Sequence, residues 1–119
     1  MITIIAGSRE ITDISLVIEA VRLSGFNITT ILNGTARGID QTGELYGIIN
    51  NIPVKDVPAE WHDANGNFIK SAGYKRNEKM AQQAKALIAI WDGESKGTKH
   101  MIDIAYKYNL QVFVFIYKL

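Results

Sequence analysis

Short apolar runs rich in Ile and Val alternate with helical patterns along the chain. The runs fall at about 2–6, 28–32, 53–57, 86–91 and 111–117, and their composition suits strands buried on both faces. Asp13 or Ser15 offers a cap for a first helix that Gly25 ends, with Val17, Ala20, Val21 and Ser24 on one narrow face. A second helix is expected from about Ile39 to Asn50, with Ile39, Thr42, Tyr46 and Ile49 in register. A third covers about Tyr74 to Ala84. A fourth covers about Thr98 to Tyr108, with Met101, Ile102, Ala105 and Tyr108 inward and Asn109 near its end. This alternation predicts a three-layer α/β sandwich: a mostly parallel five-stranded sheet with right-handed crossovers and helices on both faces.

Three polar, glycine-bearing loops follow three of the predicted strands. They are Gly7-Ser8-Arg9, Gly34-Thr35-Ala36-Arg37-Gly38 and Asp92-Gly93-Glu94-Ser95-Lys96-Gly97-Thr98. All three fall at strand carboxyl ends, where parallel α/β sheets bind ligands near the switch in strand order. Each also has a plain structural reading. Gly7-Ser8-Arg9 is either a tight turn with a surface arginine or a ligand wall in which Arg9 forks to phosphate or carboxylate. The second loop leads into a helix whose first N–H groups suit an anion, and Thr35 adds a hydroxyl. Asp40, in that first turn, either complements the helix dipole or accepts from ribose hydroxyls; Glu44 shares its face. The third loop forms a nest for an anion with Ser95 and Thr98 as donors, or a polar strand–helix connection. Neither a Walker A order nor a Gly-x-Gly-x-x-Gly fingerprint occurs.

The long connection from Pro58 to Tyr74 carries Trp61, which either stacks on a base or covers the core at the rim. Arg76 and Asn77 open the third helix within reach of Arg9's loop. His62 and His100 are the only histidines, and there is no cysteine, so neither a dedicated metal site nor thiolate chemistry is expected.

At 119 residues, with 47% hydrophobic content, the chain reads as one domain, 1–119. Thirteen basic residues against twelve acidic ones remove the simple electrostatic case for a nucleic-acid or membrane-surface protein. No basic leader region and no apolar stretch of roughly eighteen residues occurs, so a cytoplasmic protein is expected.

Taken in order, Ile4-Ile5-Ala6-Gly7-Ser8-Arg9, Asn33-Gly34-Thr35-Ala36-Arg37-Gly38-Ile39-Asp40, Pro58-Ala59-Glu60-Trp61, Ala72-Gly73-Tyr74-Lys75-Arg76-Asn77 and Ala89-Ile90-Trp91-Asp92-Gly93-Glu94-Ser95-Lys96-Gly97-Thr98 resemble the small YspA-like branch of the SLOG superfamily. That superfamily takes its name from Smf/DprA and the LOG enzymes. The resemblance spans nearly the whole chain. It implies a Rossmann-like fold and a nucleotide-derived ligand, a nucleoside phosphate or ADP-ribose-type signal, with no resident cofactor. Members include phosphoribohydrolases, DNA-binding proteins and ligand sensors, some in bacterial and phage conflict systems. Relatives are often dimers, so a homo-oligomer is expected.

On this resemblance Gly7, Ser8 and Arg9 form one wall, and Gly34, Thr35, Gly97 and Thr98 hold phosphate, with Gly38 and Ser95 as further ligand-binding residues of the same loops. Arg9, Arg37 or Arg76 neutralises it, with Asn77 beside them. Asp40 meets ribose. Trp61 or Trp91 covers a base, and Asp92 and Gly93 shape the last loop. LOG enzymes carry a glutamate for N-glycosidic hydrolysis where this chain has Met101. A thioether cannot act as a general base, which favours a sensor or sequestering protein over a hydrolase, with Asp40, Glu44, Asp92 or Glu94 as substitute carboxylates. A DNA-binding module of the Smf type is the remaining reading.

Overall fold

The computed structural model describes residues 1–36 and 38–117. Nine elements alternate: β1 (Ile2–Gly7), α1 (Ile14–Ser24), β2 (Thr30–Asn33), α2 (Ile39–Ile49), β3 (Val54–Asp56), α3 (Ala72–Gln83), β4 (Ala86–Trp91), α4 (Lys96–Lys107) and β5 (Gln111–Ile116). The strands form one sheet in the order β3-β2-β1-β4-β5, and every pairing is parallel. This is a Rossmann-like α/β fold. The chain runs outward from β1 through β2 to β3, then returns to the other side of β1 to lay down β4 and β5. The switch point therefore lies between the carboxyl ends of β1 and β4.

Residue alternation along the strands builds two cores. Ile4, Ala6, Leu32, Leu87 and Ala89 meet Met80 and Ala81 of α3 and Met101, Ile102 and Ala105 of α4. Ile5, Ile31, Ile88 and Ile90 meet Val17 and Ala20 of α1 and Ile39 of α2. The central strand β4 is buried from Ala86 to Ile90, which is why it reads as an unbroken apolar run.

Local chemistry sets the helix ends. Asp13, not Ser15, caps α1; its carboxylate accepts from Ser15 N at 2.9 Å and from the Ser15 hydroxyl at 2.7 Å. Gly25 closes α1 at φ 69° in the left-handed region. Ser95 caps α4, so that helix begins two residues before Thr98. In α3 the helical backbone likewise starts at Ala72, ahead of Tyr74. One register expectation fails: Ile49 is 62% exposed. The helix lies on the sheet through Gly47, where an added Cβ would strike Val54 and Ile31. That close approach turns Leu45, Ile48 and Ile49 outward. No helix among the described residues is long and apolar enough to cross a membrane.

Candidate functional site

A cleft of about 270 Å³ opens at the switch point. Its floor is Ala6 from β1, with Met80 of α3 and Met101 of α4, both buried. Arg9 comes from the turn after β1, Asp40 from the first turn of α2, Arg76 and Asn77 from α3, and Ser95, Gly97 and Thr98 from the start of α4. Trp61 stands at the rim, 39% exposed, with its ring stacked on Phe68 at 5.9 Å. A second groove of about 470 Å³ adjoins the first and shares Arg9, Ala36, Trp61 and Arg76 with it. Gly34, Thr35 and Gln41 belong to that groove.

The charged centre is built around Asp40, which is only 7% exposed. Its Oδ2 accepts the Ala36 N–H at 3.1 Å. Burial pushes its carboxyl up to about 6, against the lowering effects of the Ala36 bond and of Arg76 and Arg9. Arg76 bridges the site: Nη1 donates to Gly34 O and Nε to Asn77 Oδ1 at 3.3 Å. Partial burial lowers the Arg76 pKa and Asp40 opposes that, but a guanidinium stays charged.

The loop after β2 is held by Asn33, a residue that sequence reasoning left out of the site. Its Oδ1 accepts from Thr35 N at 2.7 Å and its Nδ2 donates to Asp40 O at 3.0 Å. Thr35 adopts φ 63°, a strained conformation for a β-branched residue. The signal for Asn33 is a single amide at the end of an apolar strand, too common to pick out. Also missing from the expected set are Lys70, Gly73 and Tyr74, which line the cleft from the long connection and the start of α3.

Several expected site residues have structural duties. Ser8 is 1% exposed, and its Oγ accepts from Asp92 N at 3.1 Å, pinning β1 to the β4 loop. Gly38, at φ 80°, lies so close to Arg9 that a Cβ would strike its backbone. Trp91 donates to Ser95 O at 3.1 Å and packs on the α3–α4 core. The Asp92 carboxylate accepts from Glu94 N and Ser95 N, both at 2.8 Å, which holds its pKa down. Gly93 turns that loop at φ 84°. None of these, nor Glu44, lines either cavity. Gly7 does line the cleft, and its missing side chain is also required by packing, since a Cβ would strike Ile90 O. Arg37 lies outside the described residues. Among the described residues, no three His, Asp or Glu side chains gather as a metal site.

No protein-family model matches the sequence. No curated protein matches it. Among solved structures, the X-ray structure of DNA processing protein A (DprA) from Streptococcus pneumoniae is similar, with a TM-score of 0.74 and 16% identity. The likeness covers 94% of this chain and 49% of that one, so this chain spans about half the length of that protein. What the two share is the DprA-type, Rossmann-like fold.

Proposed function

We propose that the switch-point cleft binds a nucleotide-derived ligand, a nucleoside phosphate or ADP-ribose-type group, and that the chain senses or sequesters it. The observation carrying this reading is the convergence of Arg9, Arg76 and the buried Asp40 on one cleft, under the start of α4. Two guanidinium groups offer charge and planar donors for phosphate. The first turn of α4 adds backbone N–H groups and the helix dipole, with the Ser95 and Thr98 hydroxyls beside them. Asp40, ionised above about 6, is an acceptor for ribose hydroxyls. Trp61 gives a rim surface on which a base stacks.

Binding without turnover is favoured because Met101, buried in the floor, has no proton to exchange. Asp40 keeps the hydrolase reading in play, since a carboxyl near 6 exchanges protons close to neutral pH. The likeness to a DNA processing protein brings in a further reading, nucleic-acid binding. The near-even balance of charge opposes it.

Native mass spectrometry of freshly purified protein, then denaturation and identification of released small molecules, tests the proposal. An unchanged nucleotide in the released fraction supports it. Protein that stays empty and fails to bind adenosine monophosphate or ADP-ribose overturns it. Free base appearing on incubation with nucleoside monophosphates turns the assignment to hydrolysis. Steeply salt-dependent binding to single-stranded DNA turns it to nucleic acid.

A further inference from the structure

One wall of the cleft is a chain of hydrogen bonds whose direction is fixed. Asn77 is 6% exposed and every polar group of its side chain is used. Its Oδ1 accepts from Arg76 Nε at 3.3 Å, and its Nδ2 donates to Gly97 O at 3.3 Å. The same Nδ2 also stands 3.1 Å from His100 Nδ1. The Arg76 and Gly97 contacts assign the amide, because turning it over sets donor on donor and acceptor on acceptor. His100 Nδ1 must therefore accept, which requires a neutral ring with its proton on Nε2. The ring is stacked on Tyr74, with centroids 4.1 Å apart.

We infer that His100 is a proton-operated latch on the cleft: protonation of Nδ1 forces the Asn77 amide to turn and releases both Arg76 and the Gly97 carbonyl. Protonated His100 has a donor facing a donor. Rotation of the amide gives it Oδ1, at the loss of both other bonds. The latch thus has two arrangements, and Arg76, Asn77 and Gly97, which change between them, all line the cleft.

The groups facing His100 set where it titrates. Burial lowers its pKa from the ordinary histidine value, while Asp103 on its own helix and Glu78 on α3 act to raise it. Asp103 is paired with Lys99 Nζ at 2.8 Å, and Glu78 accepts from the Tyr108 hydroxyl at 2.8 Å. The latch is therefore closed at neutral pH and opens at a pH below the ordinary histidine value. Its effect on ligand rests on the nucleotide reading above; its existence does not.

Proton–nitrogen correlation spectra of labelled protein across about pH 5 to 8 test it. The expected result is an Nε2–H tautomer for His100 at the upper end. The Asn77 side-chain amide, the Gly97 amide and Arg76 Nε should then shift with the His100 midpoint. In His100→Gln, whose Oε1 still accepts from Asn77, those signals should hold their high-pH positions throughout. Adenosine monophosphate should bind the wild type about five-fold more weakly than His100→Gln at the lower end of that range, the worth of one net hydrogen bond. An Nδ1–H tautomer at high pH overturns the inference, as does His100 titrating while Gly97 and Arg76 stay still. Equal affinity of the two proteins for adenosine monophosphate at the lower pH would also overturn it. Co-titration without nucleotide binding at any pH leaves the latch standing and refutes the nucleotide reading.

Discussion

The Ser8 hydroxyl oxygen accepts the backbone N–H of Asp92 at 3.1 Å, joining two loops 84 residues apart. Those loops leave the two strands that flank the switch point, where Ser8 N also donates to Ile90 O at 3.1 Å. Ser8→Ala leaves the Asp92 N–H without that partner in a half-buried position. We expect a loss of about 1 kcal/mol in stability, read as a lower denaturation midpoint with an unchanged m-value.

Two glycines separate folding from ligand access. Gly38→Ala puts a Cβ into the Arg9 backbone at a positive φ. It should cost roughly 3 kcal/mol or more, or abolish folding. Gly97→Ala meets nothing within 4 Å, so the helix start should tolerate it, with stability changed by less than ~0.5 kcal/mol. Its new methyl group would stand at the cleft, where Gly97 is a lining residue. Calorimetric titration with adenosine monophosphate should then record weaker binding in a fully folded protein.

Asp40 makes the fold weaker at neutral pH. Its folded pKa is raised from 3.8 to about 6. A group raised in this way contributes stability that is fully present below 3.8 and is lost as pH rises through about 6. Above that window the buried carboxylate costs on the order of 3 kcal/mol. Asp40→Asn keeps an oxygen for the Ala36 N–H and removes the charge. Urea denaturation should find the variant more stable than wild type at about pH 8, with the gap closing near pH 4. Weaker nucleotide binding in the same variant would mark Asp40 as a group kept for the ligand at the expense of the fold.

Arg76 couples the same carboxylate to the cleft wall. Arg76→Ala removes a positive charge that favours ionised Asp40. The Asp40 carboxyl should then titrate above its wild-type value, followed by carbon-13 chemical shift against pH. Affinity for adenosine monophosphate should fall roughly ten-fold or more, as for loss of a charge-assisted bond. Arg76→Lys should not restore it. One ammonium cannot donate to Gly34 O and Asn77 Oδ1 in the planar geometry of a guanidinium.

The sheet and its helices were legible in the sequence because each strand is short, apolar and followed by a polar loop. β4, buried along nearly its whole length, is the clearest case. Element boundaries differ by one or two residues, as where the Ser95 cap starts α4 at Lys96 rather than Thr98. Periodicity places Ile49 inward because it cannot register how closely a helix sits; Gly47 lets α2 approach the sheet and turns Ile49 outward. In the site, residue type and position at strand ends point to Gly7, Arg9, Asp40, Ser95, Gly97 and Thr98, the long connection and the start of the third helix point to Trp61, Arg76 and Asn77, and the fold gathers them into one cleft. Ser8, Trp91 and Asp92 looked the same by those criteria, yet their polar groups are turned into backbone partners.

By itself, then, the sequence determined the order and type of the elements and the strand ends to which the chemistry-bearing residues are attached. Those follow from local periodicity, capping and turn chemistry, which act over a few residues. The tertiary structure alone decided which polar groups remain free to face the cleft. It also decided that Asp40 is buried beside two guanidinium groups, and that Asn77 is locked between Arg76, Gly97 and His100. Those outcomes depend on contacts between residues as much as 84 positions apart. Burial and hydrogen-bond satisfaction are settled only when the whole sheet has closed on its two helical layers.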